Sequence, residues 1–180
     1  MKNQNTKKLA YAALFLALCL VLPMLTCQIP QIGSMLLPMH IPVLLCGLVC
    51  GWQYGAAVGF VAPLLRSVLF GMPPMYPVAI AMAFELLTYG LVIGLVYRRM
   101  AQKGAAGVYA ALLTAMVAGR LVWGVAEVVL LGLGGKAFTA QAFLAGALLN
   151  AVPGIIVQLV LIPAVMAALQ KAGAVKEYAE

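Results

Sequence analysis

Arg120 and Glu127 stand seven residues apart inside a nearly unbroken apolar run, GVYAALLTAMVAGRLVWGVAEVVLLGLGG, at residues 107–135. Two helical turns span close to seven residues, so both charges lie on nearly the same side of a helix, with Trp123 and Gly124 between them. The run exceeds the ~20 residues that cross a bilayer's hydrocarbon core, and lipid penalises either charge by ~2.5–3.5 kcal/mol on insertion scales. The stripe must therefore face other helices or a wet cavity. It is either a substrate site or an ion pair that only fastens a bundle, and intramembrane ionisable groups favour the first.

Few other groups in the chain can do chemistry. Arg66, Glu85, Asn150 and His40 are the remaining polar candidates, with Tyr76, Tyr89 and Trp123 as stacking or apolar walls. Two arginines beside two glutamates can hold a ligand that carries a carboxylate plus hydroxyl or amide groups, because arginine offers a bidentate fork and glutamate accepts from donors. His40 has no serine or cysteine nucleophile arranged around it, so a hydrogen-bonding or structural role outweighs catalysis. Cys19, Cys27, Cys46 and Cys50 lack zinc spacing, and no further ligands accompany the Cys46/Cys50 face, so no metal is expected. The chain also lacks a G-x-x-x-x-G-K-[ST] loop, an H-E-x-x-H helix and a G-x-S-x-G elbow. A binding site with no motor, no cofactor motif and no reaction centre reads as one subunit of a larger machine, not as an enzyme.

The elements that position these groups follow from composition. Of 180 residues, 66% are hydrophobic and 8% charged, far from the roughly 25% charged of soluble domains. This is an all-α integral membrane protein, read as one domain over 1–180 with no room for a soluble catalytic unit. The net charge of +7 does not mark nucleic acid, since the basic residues are dispersed and flank apolar runs.

Six spans are expected, at about 9–25, 43–52, 54–70, 78–97, 107–133 and 142–169. Residues 26–42, TCQIPQIGSMLLPMHIP, hold three prolines and one glycine and remain apolar, which predicts an irregular loop folded back as a lid and closed by His40. GMPPMYP at 71–77 predicts a rigid non-helical turn. Gly47, Gly51, Gly55 and Gly59 recur every four residues, and Gly90 and Gly94 repeat the spacing, predicting close backbone contact. Ala13 and Ala17, extended by Ala10, form a small-residue face on the first helix, open to a partner or to this chain's own packing. Lys2, Lys7, Lys8, Arg98, Arg99, Lys103, Lys171 and Lys176 fall on one side and Lys136 alone on the other, which predicts a plasma-membrane protein with both termini cytoplasmic. That topology puts nearly every intramembrane polar group in the outer half.

LPMHIPVLLCGLVCGWQYG, RSVLFGMPP and AMAFELLTYG, with A-A-L-F-L-A after a short basic head, resemble the substrate-binding S components of energy-coupling factor (ECF) vitamin transporters. The resemblance covers the whole six-span layout and is greatest to the pantothenate, folate and riboflavin branch. It implies a subunit that captures a vitamin outside and docks on a transmembrane T protein powered by two cytoplasmic ATPases. It also implies docking through Ala13 and Ala17, gating by the loop at 26–42 and the loop near Met72 to Tyr76, and, from the pocket charge, pantothenate as the favoured ligand. The rivals are a stand-alone secondary transporter and a membrane-embedded enzyme using Glu85, Glu127 and His40 as acid–base groups.

Overall fold

The computed structural model describes residues 2–25, 36–100, 104–135, 139, 141, 144 and 151–173, and within them every regular element is helical. Helix α1 covers Lys2–Leu25, α2 His40–Cys50, α3 Trp52–Phe70, α4 Ile80–Met100, α5 Ala105–Leu133 and α6 Val152–Lys171. A single π-helical turn at Met75–Ala79 leads into α4. Five of the stretches, Gln4–Met24, Trp52–Phe70, Met75–Met100, Ala105–Leu133 and Val152–Lys171, are long and apolar enough to cross a membrane. With 11 residues, α2 is about half as long as the ~30 Å hydrocarbon layer is thick, at ~1.5 Å per residue. The chain is an all-α, multi-pass membrane protein.

Lipid offers helices no hydrophobic reason to associate, so association rests on close van der Waals packing over small residues. Glycine supplies it here. A Cβ on Gly90 of α4 would lie 2.2 Å from the carbonyl carbon and oxygen of Gly55 on α3, and one on Gly55 would lie 2.7 Å from Cα of Gly47 on α2. One on Gly59 would meet the Leu86 carbonyl oxygen at 2.2 Å, and one on Gly94 the Trp52 backbone nitrogen at 2.5 Å. Helices α2, α3 and α4 are therefore stacked backbone to backbone. Gly51 joins α2 to α3 at φ +96°, a conformation that side chains disfavour, which lets the chain reverse in one residue.

On α5 the split of faces is explicit. Ala111, Leu112, Ala115 and Met116 are buried, while Leu113, Val117, Leu121 and Val125 are exposed, as expected of a helix with lipid on one side. Helix α4 sits centrally, packed most extensively on α3 and α5. Helix α1 leans on α2 and α3.

Several boundaries differ from those read in the sequence. The basic head is helical from Lys2, since its polar residues tolerate a helix that extends beyond the apolar run. The loop after α1 ends at Met39, because His40 already starts α2 and Pro42 falls in the first turn, where a missing N–H costs nothing. The segment at 71–77 is not wholly non-helical, since the π turn begins at Met75, although Tyr76 keeps an extended φ of −118° and ψ of 133°. Asn150, Gly146, Cys27, Lys103, Lys136, Lys176 and residues 26–35 of the expected lid lie outside the described residues.

Candidate functional site

Glu85 is the centre on which the described polar groups converge. It projects from the second turn of α4, where the contact of Gly59 with the Leu86 backbone fixes the register of α4 on α3. Helix α5 is held to the same place on its other side. Gly119 lies flat against the Tyr89 ring, where a Cβ would come within 3.0 Å of Cε2 and Cζ, and this brings the next residue, Arg120, level with Glu85. Arg120 Nη1 lies 2.9 Å from Glu85 Oε1, and the carboxylate side chain is only 2% exposed. His40, the first residue of α2, approaches the same oxygen with Nε2 at 3.4 Å. Its ring meets Tyr89 edge to face, with centroids 5.2 Å apart at 70°.

The cluster is buried but not saturated with hydrogen bonds. Both nitrogens of His40, Nε and Nη2 of Arg120 and Oε1 of Glu85 are buried without a hydrogen-bonded partner among the described residues. The 2.9 and 3.4 Å contacts are thus ion-pair approaches without hydrogen-bond alignment. Orphaned buried donors normally cost ~1–3 kcal/mol each, so each such group calls for a physical explanation. Arg120 keeps one whole side of its fork, the Nε–Nη2 edge, in that condition. This edge is the planar pair of donors that matches a carboxylate.

Arg120 is expected from the sequence to share its charge with Glu127, but the structure pairs it with Glu85. Glu127 is buried on the expected face of α5 and lies within electrostatic range of Glu85, yet it pairs with none of the described cations. Trp123, one turn after Arg120, stands beside the guanidinium at 5.9 Å from ring centroid to Cζ. Tyr89 is buried in the cluster, one turn after Glu85.

Two further candidates are placed elsewhere. Arg66 is buried at 3% exposure, donates from Nη1 to the Leu20 carbonyl oxygen of α1 at 2.6 Å and lies 5.3 Å over the Phe70 ring. Its described contacts fasten α3 to α1. Tyr76 is exposed and donates its hydroxyl to the Leu130 carbonyl oxygen, tying the π turn to the end of α5.

Ser67 and Gln158 are buried polar residues that the sequence reading did not single out, and Gln158 is the more deeply buried. Gln158 of α6 is 1% exposed, and its Nε2 is buried without a hydrogen-bond partner among the described residues. Its only signal was a single amide inside VPGIIVQLVLIP, a polar group without charge in a run that hydropathy still reads as lipid-compatible. No group of His, Cys, Asp or Glu among the described residues is arranged to hold a metal ion.

Ala10, Ala13 and Ala17 are exposed on α1 beside the exposed Leu9, Leu14 and Val21, so the small-residue face is not consumed by packing among the described residues.

Comparison with known proteins gives one family and no individual relative. No curated protein and no solved structure matches the chain significantly. The family model described as "ECF transporter, substrate-specific component" matches residues 7–167, a range that takes in Ala13, His40, Glu85, Arg120 and Glu127. Matched over most of its length, this bundle of membrane-length helices around a buried ionic cluster belongs to the family of ECF transporter substrate-specific components.

Proposed function

We propose that this substrate-binding subunit captures a small carboxylate-bearing vitamin, with pantothenate favoured over folate, and that Arg120 is the anchor of its carboxylate. The observation that carries the reading is the buried, unbonded Nε–Nη2 edge of Arg120, held in place from its Nη1 side by Glu85. A guanidinium fixed at one end and unengaged at the other is pre-organised, so little side-chain entropy remains to be lost on binding. His40, Glu85, Glu127 and Tyr89 surround it, with Trp123 as a flat wall and Asn150 and Tyr76 as further contacts towards the outside. Arg66 adds positive potential from α3.

In this reading both termini are cytoplasmic, the ligand arrives from outside, and the loop at 26–42 covers it. Ala13 and Ala17 dock on a T protein driven by two ATPases, since their exposed small side chains allow another helix to approach closely. Native mass spectrometry of the purified subunit identifies what it retains, and calorimetry with pantothenate, folate and riboflavin ranks them. Retention of pantothenate with loss of binding in Arg120→Ala supports the proposal. Preference for riboflavin, which has no carboxylate, refutes the anchor. Co-purification with a T protein and ATPases tests the docking arm, and uptake into liposomes by the subunit alone, without ATP, refutes it.

A further inference from the structure

We infer that a carboxylate ligand is bound together with one proton, and that His40 holds the proton in the complex. The inference rests on the carboxylate reading above and deepens it. Its basis is the charge that the structure places around one buried oxygen.

Among the described residues, one cation, Arg120, pairs with the buried Glu85, and a second buried carboxyl group, Glu127, lies within electrostatic range of Glu85 without pairing with a described cation. A ligand carboxylate on the Nε–Nη2 edge would be a second anion on a guanidinium whose charge Glu85 already balances. Uncompensated charge in a desolvated site is very costly, and the usual relief is a change of protonation. Histidine is the side chain whose charge is most readily changed near neutral pH. His40 is where such a proton would be stabilised: it is 1% exposed, and Nε2 lies 3.4 Å from Glu85 Oε1. Neither ring nitrogen has a hydrogen-bonded partner among the described residues. A protonated ring donates from both nitrogens, one of them facing the Glu85 oxygen.

Among the described groups, only the two carboxylates compete with His40 on position. Helix α1 contributes only the Cys19 thiol near His40, bonded to the Met39 carbonyl oxygen, and its lysines Lys7 and Lys8 are at the opposite end. On α2 itself the other titratable groups are Cys46 and Cys50, further along the helix. Helix α3 offers Arg66, engaged with Leu20. Tyr89 on α4 presents its ring to the imidazole. Glu85 on α4 and Glu127 on α5 are the alternative proton acceptors, and α6 offers the uncharged Gln158.

The test is a proton count. Calorimetric titration of the wild-type subunit with pantothenate, in buffers of different ionisation enthalpy at one pH, gives the protons taken up per ligand. Uptake approaching one is expected above neutral pH, with Kd rising towards tenfold per pH unit as protons become scarce. Pantothenol, which replaces the carboxylate with an alcohol, should bind without uptake. His40→Gln should bind pantothenate with no uptake and with little pH dependence, whereas Glu127→Gln should retain the dependence on pH at lower amplitude. Pantothenate binding without proton uptake by the wild type overturns the inference while leaving the Arg120 anchor standing. Uptake that survives His40→Gln overturns the assignment to His40, whichever of Glu85 and Glu127 then takes the proton. Failure of every carboxylate-bearing vitamin to bind overturns both readings, and because the wild-type comparison of pantothenate with pantothenol needs no variant, misfolding of His40→Gln cannot shelter the inference.

Discussion

Arg120→Lys isolates the contribution of the guanidinium fork better than truncation does. Lysine keeps the positive charge and can still approach Glu85 Oε1, now 2.9 Å from Nη1, but it has no second planar edge. The variant should therefore fold, and it should lose about one charge-assisted hydrogen bond to the ligand, ~1.5–3 kcal/mol, or roughly 10- to 150-fold in Kd. Arg120→Ala removes the ion pair as well. It leaves Glu85 buried with only His40 beside it, so binding should fall by roughly 30- to 5,000-fold (~2–5 kcal/mol) and stability should fall with it. The two effects separate in a double-variant comparison. Arg120→Met with Glu85→Gln removes both members of the pair, which restores stability towards wild type if the pair is only structural, yet leaves no anchor. The chain has two tryptophans, and Trp123 stands beside Arg120, so a Trp52→Phe background makes ligand titration readable from Trp123 fluorescence alone. Calorimetry supplies Kd, and thermal unfolding in detergent supplies stability. Wild-type affinity in a well-folded Arg120→Lys variant, or in the Met/Gln pair, would refute the anchor.

Other consequences are testable in the same preparation. Gly90→Ala puts a methyl group 2.2 Å from the Gly55 carbonyl, so separation of α3 from α4 should cost ~1–3 kcal/mol or more and lower the unfolding temperature, whereas Gly132→Ala, with open space around it, should be nearly silent. Ala13→Leu with Ala17→Leu should abolish ATP-driven uptake in vesicles while leaving ligand affinity within about twofold, because the exposed face of α1 is lost to a partner but the cluster is untouched. Arg66→Met should destabilise the bundle by ~1.5–3 kcal/mol through the lost bond to Leu20, with a smaller effect on affinity than Arg120→Lys; a larger effect would return Arg66 to the ligand. Gln158→Leu should leave stability unchanged or raised if the amide only fills space, so a loss of ligand affinity in a stable variant would place it in the site.

Periodicity explains which features were legible in the sequence. The glycines of α2, α3 and α4 and the shared face of Arg120 and Glu127 recur at helical spacing, and such spacing is retained whatever the helix packs against. The membrane class followed from composition. The pairing of Arg120 with Glu85 was not legible, because it depends on how far α5 slides along α4. That offset is set by contacts such as Gly119 on Tyr89, which leave no local pattern. The same holds for Arg66, whose partner is a backbone carbonyl on α1 that no side-chain pattern announces. His40 looked like the end of a loop because prolines surround it, yet a proline in a helix's first turn is compatible with either reading.

The glycine stack of α2, α3 and α4 also constrains how this protein can move. Ordinary helix interfaces yield by changing rotamers, but where Gly90 meets Gly55, and Gly55 meets Gly47, the closest contacts are backbone on backbone, which no rotamer change relieves. It behaves as a keel: the three helices translate or tilt together or not at all. Glu85 and His40 are mounted on that keel, while Arg120 is mounted on α5, so a shift of α5 against the keel would change the separation of the cation from both partners at once. The stroke of such a movement is then reported by a single distance, Arg120 Nη1 to Glu85 Oε1, which makes a spin label on the exposed face of α5, at Val117, and another on α3, at Val68, a direct gauge of the transport cycle.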